Sequence, residues 1–539
     1  MLCFLERHFG DERTIFGDGR FMLLRSLSAE KELAGSVLHE AKTDRSVDRK
    51  ELAVLLTKVG MRLLGSRSSL AGERVAMMVE PGVSFVASIL AIAHAGGCGL
   101  VLSPLHPAAE SRFFCDDAEV QTILASRSLL EKLGDAGVGR EVLVVEDVLD
   151  HAGPTPNEVA FPSVTDDAPA LQLYTSGTTG KPKGAVLTHR NLETQAALLR
   201  EAWQVTPQDT LLHALPLHHM HGLVIALFSA FAAGASIRFL PKFDAIAIWE
   251  GMADATVFMA VPTMYARLFD AFDRADEATQ ARWAANAKSL RLATSGSAAL
   301  PVTLAERWAT LTGVIPLERF GMTEIGVGMS NPLETKRVAG SVGFPLPTVE
   351  TEVLDDERRP ASSGELWIRG PSVFTGYWKR VDATREAFRE DPHGGAPWFR
   401  TGDTVSVDDE GRFRIVGRTS IDILKSGGYK LSALEIEEVL RTHPSIGDAA
   451  VVGLPDEAWG ERVVAAVTLR DSISNAEKEK ALEACATESL RTWGKELLAP
   501  YKLPKEVVVL DELPRNAMGK VVKPALKELL LARKPRSAT

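Results

Sequence analysis

Cysteine is scarce in this chain, with four in 539 residues, at Cys3, Cys98, Cys115 and Cys485 and in no CxxC pairing. That excludes a disulfide framework and points to reduced thiols in an intracellular setting. An excess of basic charge is also missing. The 61 Lys+Arg stand against 71 Asp+Glu, a net charge of -10, and the sequence pI is about 5.8. Nucleic acid is therefore not an expected partner. No GxSxG elbow is found, which argues against a serine hydrolase. The absence of GxGxxG and HExxH argues against a dinucleotide enzyme and a zinc protease. What is present is ordinary globular material, 45% hydrophobic and 24% charged, in a chain long enough for three or four domains at roughly 150 residues each.

Two stretches carry no Asp, Glu, Lys or Arg, Pro81 to Ala109 and Thr210 to Ile237. Either is long enough to span a bilayer. Gly96, Gly97, Gly99 and Pro104 interrupt the first, and Pro216, His218, His219 and His221 the second. Each is read as a buried helix running into a buried strand, with no membrane span. Near the N-terminus, Glu6, Asp11, Glu12 and Asp18 accompany Arg7, Arg13, Arg20 and Arg25. Transit peptides are poor in acids and secretory peptides need an apolar core. The expected location is cytoplasmic, and a mitochondrial form with a longer precursor stays open.

Leu52, Leu55, Leu56, Val59 and Leu63 recur at helical spacing and predict an amphipathic helix over Asp48 to Leu64. Strands are expected at Arg74–Val79, Cys98–Ser103, Val120–Ala125 and Val142–Glu146, with helices at Val83–Ala95 and Ala109–Asp116 between them. After a proline-rich connection from Ala152 to Ala170 come expected strands at Leu171–Thr175, Leu211–Leu215, Ser236–Leu240, Val257–Val261 and Leu290–Ser295. Such alternation means βαβ units and largely parallel sheets, an α/β fold. From about 340 to 417 the texture becomes short strands with Gly and Pro turns, as at Gly364–Arg369 and Gly411–Val416, a β-rich subdomain. From Thr419 onward 18 basic residues balance 18 acidic ones, so the acidic excess lies upstream. The expected organisation is a large domain over 1–417, a hinge at 418–422 and a small α+β domain over 423–539.

The segment Tyr174-Thr175-Ser176-Gly177-Thr178-Thr179-Gly180-Lys181-Pro182-Lys183-Gly184 follows a predicted buried strand. Glycines let the backbone approach an anion, freed N–H groups and hydroxyls donate to phosphate oxygens, and lysines add point charge. Pro182 stands where GxxxxGK[ST] requires Ser or Thr, so this is a phosphate cradle of another kind. The segment resembles the phosphate loop of the adenylate-forming superfamily, which includes acyl-CoA synthetases, adenylation domains and luciferases. The resemblance runs from about Asp48 to near the C-terminus. It includes Leu215–Gly222, Glu318-Arg319-Phe320-Gly321-Met322-Thr323-Glu324, Thr401-Gly402-Asp403, Gly417-Arg418 and Pro514-Arg515-Asn516-Ala517-Met518-Gly519-Lys520, in the family's order.

This resemblance implies a two-step reaction. A carboxylate is a poor electrophile; adenylation gives it AMP as a leaving group, which the CoA thiol then displaces. The first step is an in-line displacement at phosphorus, catalysed by positioning and preorganised positive charge. By the resemblance, Thr175, Ser176, Gly177, Thr178, Thr179, Gly180 and Lys183 hold the phosphates. Gly296, Ser297, Ala298, Phe320, Gly321 and Thr323 hold the adenine end, and Asp403 with Arg418 the ribose. Glu324 would ligate Mg²⁺, an ion that takes one or two carboxylates plus phosphate oxygens and water. Thr178, Glu324 and above all Lys520 are the implied catalytic residues, Lys520 arriving from the small domain. Ser426, Gly427, Gly428 and Tyr429 would line the path of CoA. At the hinge the family's usual Asp or Lys is replaced by Ser420, with Asp422 two residues on.

Arg319, beside the adenine aromatic, suits a second carboxylate on the substrate, because guanidinium binds carboxylate through two parallel hydrogen bonds. With His219 and His221 it would form the polar end of a short acyl pocket. Leu215–Gly222, Thr294–Pro301, Glu318–Glu324, Gly417–Leu431 and Ala499–Pro504 look most like malonyl-CoA synthetases. The expected substrates are ATP, CoA and malonate. A ligase for methylmalonate or acetate, or a non-catalytic nucleotide-binding relative, remains the alternative.

Overall fold

The computed structural model describes residues 37–151, 160–175, 182–391, 394–427, 429–470, 473–474, 476–515 and 521–533. The chain divides into two compact units. The first holds most of the residues up to Pro241, the second essentially everything from Lys242 onward.

In the first unit, strands Thr122–Ala125, Arg74–Met78, Cys98–Val101 and Pro169–Thr175 lie side by side in parallel, with Glu141–Val144 beyond Thr122–Ala125. Their near-continuous apolar composition fits a sheet buried on both faces, and Arg74–Met78 is buried from Val75 onward. The amphipathic helix forms over Arg49–Leu64. Asp48 caps its start by accepting from the Glu51 amide, and Leu52, Leu55, Leu56, Val59 and Leu63 are buried as the spacing predicts. A glycine is needed at position 60, since a Cβ there would lie 2.5 Å from the Phe161 ring.

The first uncharged stretch becomes helix Val83–His94 followed by strand Cys98–Val101. In the second, helical turns over 221–232 run into strand Ser236–Phe239. Among the described residues no helix is long and apolar enough to cross a membrane. The strand expected over Val142–Glu146 stops at Val144, and Val145–Asp150 is helical. Glu146 and Asp147 sit in that helix's first turn, where negative charge opposes the dipole favourably.

In the second unit, Val257–Ala260, Leu292–Ser295 and Leu317–Met322 run parallel. Gly326–Ser330 then folds back antiparallel on Leu317–Met322. The β-rich part follows as expected, with Glu350–Leu354, Ser363–Arg369 and Trp398–Val407 in antiparallel order and Phe413–Arg418 paired to Trp398–Val407. The strand expected at Gly411–Val416 is shifted two residues onward. Gly411 has φ +81 and serves the turn, and the ladder continues through Arg418.

The C-terminal part is a sheet of Tyr429–Ser432, Ile423–Ser426, Gly460–Leu469 and Ile446–Asp456, with Glu506–Val509 parallel to Gly460–Leu469. Alternation along its strands divides the core. Ala449, Val451, Val463 and Val467 pack with Ile436 and Leu440 on one face. Ala450, Val452, Leu454 and Val464 pack with Leu526 and Leu530 on the other.

Candidate active site

The phosphate-loop segment joins two antiparallel strands, Pro169–Thr175 and Lys183–Thr188, with Thr175 directly opposite Lys183. A strand, not a helix, leaves this loop, which is why the P-loop spacing fails here. The strands hold Thr175 and Lys183 at the mouth of the loop. Ser176, Gly177, Thr178, Thr179 and Gly180 lie outside the described residues. Gly184 follows with no room for a side chain, because a Cβ would lie 2.4 Å from the Gln172 amide nitrogen.

In the same unit His219 begins a helical segment through its carbonyl, which accepts from the Leu223 amide at 3.0 Å. The His218 and His219 rings lie 4.1 Å apart. From His221 to Phe228 the helix is widened to i→i+5 hydrogen bonding, as in the Ser229 amide to the Val224 carbonyl. Such wide turns are frequent at functional sites. His221 is 4% exposed.

The second unit gathers most of the remaining candidates at the ends of its parallel strands, where open α/β sheets bind ligands. Strand Leu292–Ser295 leads into Gly296, Ser297 and Ala298, with Ser297 at φ +68. Arg319, on the neighbouring strand Leu317–Met322, is 3% exposed. Its guanidinium lies over Gly296, where a Cβ would fall 2.4 Å from both Cζ and Nε. Glycine at 296 therefore makes the space Arg319 occupies. Among the described residues, Nε and Nη2 of Arg319 are buried with no hydrogen-bond partner, and so are the hydroxyls of Thr294 and Ser295. Among the described residues no carboxylate pairs with this guanidinium, and burial pulls its pKa down to about 9. An uncompensated buried cation is costly.

Phe320 and Gly321 sit at a bulge in the same strand. A Cβ on Gly321 would lie 2.1 Å from the Gly326 carbonyl oxygen, so the close return of the chain requires glycine. The turn carries Thr323 and brings in Glu324, which is 4% exposed. Its Oε1 accepts from the Tyr377 hydroxyl at 2.9 Å, and its carbonyl accepts from the Phe374 amide at 2.8 Å. Tyr377 was not visible as a site residue, because Gly376-Tyr377 lies far from Glu324 in sequence and belongs to no recognised spacing. Among the described residues no cluster of three or more His, Cys, Asp or Glu forms a metal cage. A single oriented carboxylate fits an ion that takes its remaining ligands from phosphates and water, as Mg²⁺ does.

Asp403 and Arg418 face each other across paired strands. Arg418 Nε is 3.2 Å from Asp403 Oδ1, and its Nη1 donates to the Thr401 carbonyl at 2.8 Å. The two residues read as the ribose motif are thus brought together. Further on, Ser426 is buried, Gly427 has φ +60, and its amide donates to the Trp459 carbonyl at 2.9 Å. Tyr429 is 53% exposed and stacks on Tyr501 at 4.4 Å. Gly428 and Lys520 lie outside the described residues.

Glu318, passed over in the sequence, is 4% exposed, and burial pushes its pKa up to about 8. Its Oε2 accepts from the Leu300 amide at 2.9 Å. The folded pKa lies above the ordinary 4.5, so between these values the folded chain keeps a proton that the unfolded chain has released. Stability tied to the neutral carboxyl is complete below the lower value and is lost as pH rises through the upper one. The expected slope is up to about 1.4 kcal/mol per pH unit. Glu318→Gln should flatten the fall in urea midpoint between pH 5 and 8, and unchanged curvature would assign the slope to other groups.

Residues 32–378 match the family described as AMP-binding enzyme, and residues 435–520 match the AMP-binding enzyme C-terminal domain. A malonate–CoA ligase of Arabidopsis thaliana is 40% identical over 486 residues, covering 86% of this chain and 79% of that protein. A mitochondrial malonate–CoA ligase of Homo sapiens is 40% identical over 490 residues, covering 84% and 82%. Among solved structures, ATP-bound MatB from Rhodopseudomonas palustris superposes with a TM-score of 0.81 at 33% identity, covering 94% of this chain and 98% of that one. The family match spans more than half of the chain and these relatives cover most of it, and the chain belongs to the AMP-binding enzyme family.

Proposed function

We propose that the protein is a malonate–CoA ligase, using ATP to form malonyl-AMP and pyrophosphate and then CoA to give malonyl-CoA and AMP. The observation that carries the choice of acid is the buried guanidinium of Arg319, with two donors lacking a partner, beside the small residue Gly296. A monocarboxylate uses its one charged group at the reacting end and leaves such a cation unpaired. A dicarboxylate has a second group to meet it. Identity near 40% to malonate–CoA ligases of a plant and an animal supports the same reading.

In this reading Thr175, Lys183 and the loop between them hold the triphosphate, and the exposed backbone at Ser297 and Ala298 with the Phe320 ring holds adenine. Asp403 accepts the ribose hydroxyls, its own orientation fixed by Arg418 and by the Thr401 hydroxyl, which accepts from the Asp403 amide at 3.1 Å. Glu324, held by Tyr377, would carry Mg²⁺, which supplies positive charge to the phosphates when bound. Lys520 holds the attacking carboxylate and donates to the α-phosphate oxygens as charge gathers on the phosphate. His219 and His221 complete the acyl end, and Ser426, Gly427, Gly428 and Tyr429 flank the thiol's approach.

The testing experiment measures AMP release with ATP and CoA against malonate, methylmalonate, acetate and a longer fatty acid. Malonate is expected to give the highest kcat/KM. A higher value for acetate would overturn the proposal, and a higher value for methylmalonate would move it to the branched diacid.

A further inference from the structure

The C-terminal part contains a run of charges that the reaction as described does not use. Arg515 pairs with Asp448, and Asp448 with Arg441 at 2.9 Å. Arg441 reaches Glu437 at 3.4 Å, Glu437 meets Lys523 at 2.6 Å, and Lys523 meets Asp422 at 2.5 Å. Asp422 Oδ2 in turn accepts from the Arg418 amide at 2.9 Å. Three cations alternate with three anions, so the run is neutral. Three of its members are buried, with Lys523 8%, Asp422 8% and Glu437 3% exposed.

The two ends of this run matter. Arg515 and Val521 form an antiparallel bridge, and the Val522 amide donates to the Pro514 carbonyl at 2.8 Å. Residues 514–515 and 521–523 are therefore the two flanks of the segment that contains Lys520, and each flank supplies a cation to the run. At the other end Asp422 closes a tight turn back to Arg418, where a Cβ on Gly417, at φ +144, would lie 2.4 Å from the Asp422 Cβ. Arg418 is also the residue paired with Asp403.

Buried ion pairs rarely add net stability, because desolvation offsets their attraction. Their best-attested use is to fix one register among several. Glu437 is fully committed here, since its Oε1 also accepts from the Val451 amide at 2.8 Å. Among the described residues Lys523, which follows Lys520 by three residues, is the one cation that joins the flank of the Lys520 segment directly to the turn at Asp422.

We infer that Lys523 is a positioning residue for the adenylation step, clamping the base of the Lys520 segment to Glu437 and Asp422. This rests on the adenylation role of Lys520 proposed above. Losing the clamp lets the segment's base shift without removing any group that touches substrate. Adenylation should then suffer while thioester formation does not.

The test compares Lys523→Met, Lys523→Arg and Lys520→Ala in two half-reactions, ATP–pyrophosphate exchange with malonate and thioester formation from supplied malonyl-adenylate. Lys523→Met is expected to lower the exchange kcat by about 10- to 100-fold, the scale for a catalytic group displaced by roughly 1 Å. ATP KM and the thioester rate should be unchanged, and Lys523→Arg should restore most of the loss. Equal loss in both half-reactions, or none, overturns the inference. If Lys523→Met does not fold, Asp448→Asn, which cuts the run at its more exposed end, is judged by the same split. If Lys520→Ala retains exchange activity, the role of Lys520 falls and this inference with it; if only Lys520→Ala loses activity, this inference alone falls.

Discussion

Lys520→Ala is expected to abolish measurable adenylation while leaving thioester formation from supplied malonyl-adenylate close to wild type. The expected loss in the first half-reaction is about 10²- to 10³-fold, or about 2.7–4 kcal/mol, the cost of removing one preorganised donor from a developing anion. During adenylation the anionic carboxylate attacks phosphorus, and charge builds on the equatorial α-phosphate oxygens and the departing pyrophosphate. In the second half-reaction the thiol attacks the acyl carbon, the acyl C–O bond breaks and charge passes to the departing AMP, with no bond made or broken at phosphorus. A lysine that serves the first transition state has no counterpart in the second. Single-turnover assays of each half-reaction decide the matter, and equal losses in both would remove Lys520 from this role.

Arg319→Met is expected to lower kcat/KM for malonate by about 10- to 150-fold, the value of a hydrogen-bonded charge of roughly 1.5–3 kcal/mol. Acetate should be unaffected or slightly improved. Methionine keeps much of the stem's bulk, so the change tests charge more than packing. The free protein should be no less stable, since the cation removed is buried without a carboxylate partner. Thermal melting with and without malonate provides a second readout. The wild type should gain from the diacid and the variant should not. A variant that still prefers malonate to acetate by the wild-type ratio would show that another group reads the second carboxylate.

Long periodic elements were legible in the sequence, for periodicity reports which face is buried. The helix over Arg49–Leu64 is such a case. Ends were less legible, because they depend on turn chemistry and on partners distant in sequence. Gly411 was read as the first residue of a strand, but its positive φ makes it part of the turn. The motifs identified the phosphate, adenine and ribose segments, and the facing of Asp403 and Arg418 follows from one strand register. Tyr377, Glu318, Lys523 and Glu437 gave no signal, since each acts through a contact made by the fold across many residues. Tyr377 reaches Glu324 over 53 positions and Lys523 reaches Asp422 over 101. A single sequence carries no record of such pairings.

Under the proposed role of Arg319, its close fit against Gly296 makes acid preference a property of two positions rather than one. Any side chain at 296 would collide with the guanidinium, and removing the guanidinium alone leaves a void beside the acyl end. A lineage drifting from diacids to monoacids would therefore pass through an intermediate with either a clash or a hole. Exchange at both sites together, an apolar residue shorter than arginine at 319 with alanine at 296, removes the clash and narrows the hole. Redesign of this ligase for uncharged acyl groups should accordingly vary the two positions as a pair.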